Sequence, residues 1–195
     1  MEITTDTIKK LRDQTGISVM QCKKALEESG GDMDKALVIL KKKSAAIASK
    51  KSDRELGAGT ISAYIHAGGN VGAMVELSCE TDFVSKNEDF KKLAHDIAMH
   101  IAATNPEFLS QDDISEEDKK KASEVFTKEI EESGKPEDIK QKMLEGKLSA
   151  YFNEMTLLEQ KFIKNPDVTI KGLLEEATQK FGERTEITNF TRFAV

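Results

Sequence analysis

Tryptophan is absent from the chain, tyrosine occurs twice, and aromatics together make up 6% of its 195 residues. Any binding surface must therefore rest on a few Phe and Met side chains. The 2 cysteines, Cys22 and Cys79, stand far apart, which excludes a disulfide framework and the paired spacing of a metal site. A reduced, cytoplasmic protein is the simplest expectation. No long apolar run is present, so no membrane span is expected, and the first residues lack the apolar region of a secretion signal. Nor do cations predominate. A net charge of -6 argues against direct nucleic-acid binding, which needs many phosphate-neutralising side chains. What is present, 38% hydrophobic and 33% charged residues, fits one mid-sized domain and a small one with a large solvated surface.

Residues 1–53 read as a three-helix bundle with a helical linker. Thr4 or Thr5 caps the first helix, which has an apolar edge of Ile8 and Leu11 and stops at Gly16. Ser18 and Gln21 form a capping box for the second, which ends at Gly30-Gly31. Asp32 caps the third, whose inner face is Met33, Ala36, Leu37 and Leu40. Helices this short must pack on one another, because nucleation is costly. The result resembles a ubiquitin-associated-type bundle. Alanines at 45, 46 and 48 extend the third helix through the basic cluster Lys41, Lys42, Lys43, Lys50, Lys51 and Arg54, read as a solvated face with an RNA contact as the sharper alternative.

Residues 54–195 read as an α+β core. Ile61, Ala63 and Ile65 alternate with Thr60, Ser62, Tyr64 and His66; Val71 to Cys79 alternates again across the hairpin turn Ala67-Gly68-Gly69-Asn70. That turn lacks the strand–loop–helix context and the lysine of a nucleotide cradle. A helix over Glu88–Ala103 presents Phe90, Leu93, Ala94, Ile97 and Ile101 to the sheet. Pro106 marks its exit. A protruding antiparallel two-helix arm is expected at about 115–152, capped by Ser115 and turning at Ser133-Gly134-Lys135 before Pro136. Its return helix is read through Ile139, Met143, Leu148, Phe152, Met155, Leu158 and Phe162. An amphipathic helix from Ile170 to Phe181 ends at Gly182. The tail from Thr185 supplies a third strand of a small antiparallel sheet, with a bulge to reconcile Ile187, Phe190 and Phe193 at their spacing of three.

Between the second strand and the Glu88 helix stands Glu80-Thr81-Asp82-Phe83-Val84, at a sharp junction on a rigid scaffold. Position alone leaves two readings open. Phe83 either tucks under the following helix while Asp82 caps it, or both project for insertion into a partner. Catalytic chemistry has thin support. A cysteine nucleophile would pair Cys79 with His66, His95 or His100, yet Cys79 shares strand parity with Val75 and Leu77 and should face the core. His95 and His100 are five apart, so at about 100° per residue they point to different helix faces and would not share a metal. No catalytic residue, metal or cofactor is expected, and the chain reads as an interaction protein.

The words Val75–Val84 (VELSCETDFV), Leu11–Gly16 (LRDQTG), Met20–Leu26 (MQCKKAL), His95–Ala103 (HDIAMHIAA), Ser133–Pro136 (SGKP) and Leu157–Gln160 (LLEQ) resemble, in order, the signatures of the bacterial elongation factor Ts family. The resemblance covers nearly the whole chain. It implies a guanine-nucleotide exchange factor for the GTPase elongation factor Tu. Phe83 would wedge between helices of that GTPase beside its magnesium site, with Thr81, Asp82 and Val84 forming the rest of the intruding junction. It also implies a second contact through Leu11, Arg12, Val19 and Met20. There the sequence departs, since Thr15-Gly16-Ile17-Ser18-Val19-Met20 stands where the usual pattern is Thr-Gly-Ala-Gly-Met-Met. Long members of the family resemble two copies of the core unit and this chain has one, which implies a homodimer; Tyr151, Phe152, Met155, Leu158 and Phe162 offer the surplus apolar surface for it. The rival classes are a ubiquitin-associated-like adaptor, which would leave Thr81–Val84 unused, and the cysteine hydrolase.

Overall fold

The computed structural model describes residues 3–131 and 134–195. Helices α1 (Thr5–Thr15), α2 (Val19–Glu28) and α3 (Met33–Lys51) enclose a small core of Leu11, Ile17, Cys22, Ala25, Leu26, Ala36 and Leu40. The caps are mostly those expected: Thr4 Oγ1 accepts from the Thr7 amide at 3.2 Å and Asp32 Oδ1 from the Lys35 amide at 3.0 Å. Ser18 Oγ accepts from the Gln21 amide, but the reciprocal half of the capping box is not among its bonds. The Gln21 side chain instead accepts from Gln179 Nε2 at 3.0 Å.

That bond belongs to a wider seam. The second half of α3 lies along α8 (Ile170–Phe181), where buried Ser44 hydrogen-bonds Gln179 and Lys51 Nζ caps the Gly182 carbonyl at 2.5 Å. Lys41 reaches the Asp167 carbonyl, and Lys43 pairs with Glu28 at 2.6 Å. The basic stretch, read as a solvated linker face, thus spends several of its cations on seating α3, and residues 33–51 are as much part of the core's packing as of the bundle.

Strands β1 (Ala58–Ile65), β2 (Val71–Cys79) and β5 (Thr185–Ala194) form an antiparallel sheet in the order β1-β2-β5. Ala73, Val75, Leu77 and Cys79 face inward under Phe90, Ala94, Ile97 and Ile101 of α5 (Glu88–Thr104). Register then decides the parity of β1. Thr60 opposes Leu77 and Tyr64 opposes Ala73, so these half-polar residues share the inner face, where Tyr64 meets His95 edge-on at 5.8 Å. Ile61 and Ile65 are left on the outer face. The β5 bulge is present: Leu77 pairs with Ile187 and Glu76 with Asn189, leaving Thr188 as the extra residue. It brings Ile187 and Phe190 to the inner face, but Phe193, opposite Gly72, falls outside.

Helices α6 (Glu116–Glu131) and α7 (Glu137–Met155) run antiparallel, as the contacts Phe126–Tyr151 and Glu129–Lys147 require. Ser115 Oγ accepts the Asp118 amide at 3.1 Å. Gly134 has φ 64, while Ser133 of the expected turn lies outside the described residues, as do Met1, Glu2 and Glu132. The return helix is shorter than its apolar pattern predicts. After Met155 the backbone becomes extended at Thr156 and bridges to Phe108, with the Leu157 amide donating to the Phe108 carbonyl at 2.8 Å. Leu157–Glu159 form a 3-10 turn and Phe162 sits in a small ribbon of β3 (Lys161–Phe162) and β4 (Asn165–Thr169). Apolar spacing cannot distinguish a continuing helix from a turn whose side chains fill the same core.

Candidate functional site

The junction after β2 is a single helical turn, α4 (Asp82–Ser85), too short to be stable alone. Its base is pinned from several sides. Val84 is buried beneath it in the core. The Thr81 amide donates to Glu183 Oε2 at 2.9 Å and its hydroxyl to Glu183 Oε1 at 2.6 Å. Cys79 Sγ donates to the Thr81 carbonyl at 3.2 Å. One residue earlier, Glu80 takes Arg54 Nη1 on both carboxylate oxygens, at 3.2 and 3.1 Å, and the Arg184 amide at 2.7 Å. Burial of Glu80 opposes its charge, but the hydrogen bonds from Arg184 and Arg54 prevail and hold its carboxyl below the usual range.

Above this base Phe83 stands free, with 83% of its surface exposed. It does not tuck under α5, so the inward reading of Phe83 is excluded. Asp82 caps nothing either. Its carboxylate meets Lys86 Nζ at 2.5 Å in the open, and the Lys86 hydrogen bond draws its pKa down. Val84, expected as part of the projecting set, is corrected to an anchor: its side chain is in the core and unavailable to a partner in this conformation.

On the bundle, Arg12, Val19 and Met20 are exposed, Met20 at 63%. Leu11, like Val84, is buried in this conformation, packed in the core shared with α2 and α3. Ile17, the bulkier residue where the usual pattern has Ala, is buried in the same core. The Gly16 turn between these contact residues rests on Lys180; a Cβ there would lie 3.0 Å from Lys180 Cε. Lys180 Nζ in turn pairs with Asp89 of α5 at 2.8 Å. The end of α8 therefore touches both the bundle surface and the region of the tip.

The cysteine and histidine side chains do not converge. Cys79 is fully buried, its thiol pushed up by desolvation and by Glu183, and its hydrogen bond goes to the Thr81 carbonyl. His66 bonds Tyr64, His95 meets that ring edge-on, and His100 is buried on Gln160. His100, expected to be partly buried, is completely so. Glu183 and Arg184 escaped the sequence reading, and Arg54 was read only as part of the solvated basic cluster. The available signal was four residues, Glu183-Arg184-Thr185-Glu186, charged at three positions and set just after a helix-ending glycine.

Comparison with known proteins supplies what this geometry alone does not. A family model described as Elongation factor TS matches residues 46–195, from inside α3 to the last strand. Relatives matching the bundle as well include elongation factor Ts of Carboxydothermus hydrogenoformans, 48% identical over 98% of this chain and 88% of that protein. The elongation factor Ts of Thermodesulfovibrio yellowstonii is 48% identical over 100% of this chain and 97% of its own length, and that of Herpetosiphon aurantiacus 44% over 100% and 98%. The class is thus a protein-biosynthesis factor of the elongation phase, concerned with guanine-nucleotide exchange. The chain belongs to the elongation factor Ts family. Among the described residues, no helix is long and apolar enough to cross a membrane.

Proposed function

We propose that the chain is the nucleotide exchange factor of elongation factor Tu, and that Phe83 and Asp82 are the groups that enter the GTPase. The observation that supports this most directly is an aromatic side chain, 83% exposed, on a turn anchored beneath by buried Val84 and at its start by the Thr81–Glu183 bonds. Exposing a Phe in the free protein leaves apolar surface in water, and burying it in a partner recovers up to about 3 kcal/mol. Driven between helices beside the magnesium site, Phe83 disturbs the groups that hold metal and phosphate, and GDP leaves. Reciprocity follows: nucleotide must weaken factor binding by the ratio in which the factor weakens nucleotide binding. Arg12, Val19 and Met20 provide the second contact, on a bundle fixed to the core through Gln21, Gln179 and Ser44. Mixing the protein with Tu loaded with fluorescent GDP is the direct test; release no faster than without it would sink the reading.

The same reading extends to assembly as a homodimer, in the cytoplasm. The surplus expected on the return helix is largely absorbed, with Phe152 and Phe162 buried and Tyr151 meeting Phe126 edge-on. The exposed apolar surface lies instead on the outer face of the sheet, where Ile61, Ile65, Met74 and Phe193 stand on neighbouring strands. A second copy laid face to face would bury it as a sandwich. Sedimentation equilibrium at micromolar concentration tests this, because a mass staying at 21.6 kDa would refute it.

A further inference from the structure

Thr81 occupies the N-cap position of α4 with extended backbone angles, φ -132 and ψ 159, yet its hydroxyl caps nothing. It is donated outward, with the Thr81 amide, to the 2 oxygens of Glu183. The turn that projects Phe83 is therefore braced from outside its own segment. Glu183 is itself fixed. It directly follows Gly182, whose φ of 75 closes α8 in the left-handed region where a side chain would be strained. The Gly182 carbonyl is held by Lys51, and Arg184 beyond it is held by Glu186 and the Arg54 carbonyl. A carboxylate set on so rigid a corner defines where Thr81 lies, and with it the direction of the exposed aromatic two residues on.

We infer that Glu183 is a positioning residue for nucleotide exchange: it holds the Thr81 backbone and hydroxyl so that Phe83 is presented already oriented for insertion. This rests on reading Phe83 as the inserting group. Preorganisation of this kind lowers the ordering cost of reaching the inserted state, so its loss falls on the exchange step more than on folding.

Glu183→Ala is expected to lower the maximal rate of GDP release from Tu, at saturating factor, about tenfold, the scale of losing charge-assisted hydrogen bonds. Glu183→Gln should restore most of it, since the amide offers an oxygen to the Thr81 amide and an N–H to its hydroxyl. In a Phe83→Ala background, Glu183→Ala should add nothing, because the orientation of a missing ring is immaterial. Should Glu183→Ala not fold, Thr81→Val, with Thr81→Ser as its rescue, carries the same test in the same direction. An equal rate loss with and without Phe83 would assign Glu183 to general scaffolding and overturn the inference. So would a silent Glu183→Ala alongside a severe Phe83→Ala, which leaves the reading of Phe83 standing. A silent Phe83→Ala would remove both.

Discussion

Helix α5 begins just after the most exposed aromatic of the described residues and ends beside a fully buried histidine, and its two ends are held by different chemistry. At the Phe83 end the partners are ionic and near solvent: Glu183 on Thr81, Arg54 on Glu80, Lys180 on Asp89, Lys86 on Asp82. At the far end Arg192 bonds the Ala102 carbonyl and Asn105 Oδ1 near the surface, but around His100 the partners are neutral and buried. His100 Nε2 bonds Gln160 Oε1 at 2.9 Å, that oxygen also takes the Thr104 hydroxyl at 2.8 Å, and His100 Nδ1 accepts the Ile163 amide at 3.3 Å. The accepting Nδ1 requires a neutral ring with its proton on Nε2. Ion pairs near water are individually weak but hold direction, whereas buried neutral networks contribute stability and lose it sharply when one member goes. The tip end should thus govern exchange and the His100 end should govern folding.

Phe83→Ala is the hardest test of that division. Exchange should fall at least tenfold, on the order of 1.4 kcal/mol, while the unfolding midpoint stays near wild type, because the side chain touches little in the free protein. A collapse of thermal stability with activity per folded molecule unchanged would reverse the assignment.

The mirror experiment is His100→Ala. It leaves the Ile163 amide without its acceptor and opens a cavity, so a loss of about 3 kcal/mol by denaturant titration is expected, with exchange per folded molecule preserved. The pH dependence has a definite sign. Burial lowers the His100 pKa below its ordinary 6.5, and the Gln160 hydrogen bond opposes this only in part. Below 6.5 the unfolded chain therefore binds more protons than the folded one. The stabilising contribution is complete above that value and is lost as pH falls from it toward the folded pKa. Glu175 and Glu176, whose pKa values are raised by burial, titrate with the opposite sign, so the measurement is wild type minus variant across pH 7.5 to 5 (about the span of an ordinary histidine titration). A difference that does not change with pH would contradict the neutral, dry site.

The two ends were unequally legible from sequence. The apolar face of α5, the caps at Thr4 and Asp32, the hairpin and the β5 bulge follow from local rules of period and turn chemistry. The Phe83 end is legible as a junction, but its anchors are not, because Glu183 lies 102 residues downstream of Thr81 and no local rule pairs the two. The outward parity of Ile61 and Ile65 was hidden for a related reason: alternation fixes which residues share a face, and only register against β2 decides which face is inside. The end of α7 at Met155 depended on a bridge to Phe108, again a contact distant in sequence.

Thr156, which precedes Gln160 at the buried end, sharpens the comparison by stabilising instead of breaking. Its hydroxyl is buried and meets no hydrogen-bonding group among the described residues, although its carbonyl accepts the Gln160 amide. Thr156→Val replaces an unsatisfied polar atom by a methyl of similar volume and should raise stability by about 1 kcal/mol. Chemical denaturation reads this directly, and a loss of stability would mean that the hydroxyl has a partner, such as an ordered water.

The smallest effect is expected back at the tip. Lys86 and Asp82 form an i,i+4 pair whose side chains are 74% and 73% exposed. Such a pair is screened by water and salt, so Lys86→Ala should leave the unfolding midpoint close to wild type. Its consequence for exchange separates two roles of Asp82. If the carboxylate works by meeting the GTPase, freeing it from Lys86 leaves exchange unchanged or slightly faster, since the partner no longer competes with the lysine. If the pair instead stiffens the turn, exchange falls, and raising the salt should slow the wild-type protein but not the variant. Because Glu183 already braces Thr81, the first outcome is the one expected. A marked fall in exchange would move part of the positioning role from Glu183 to Lys86.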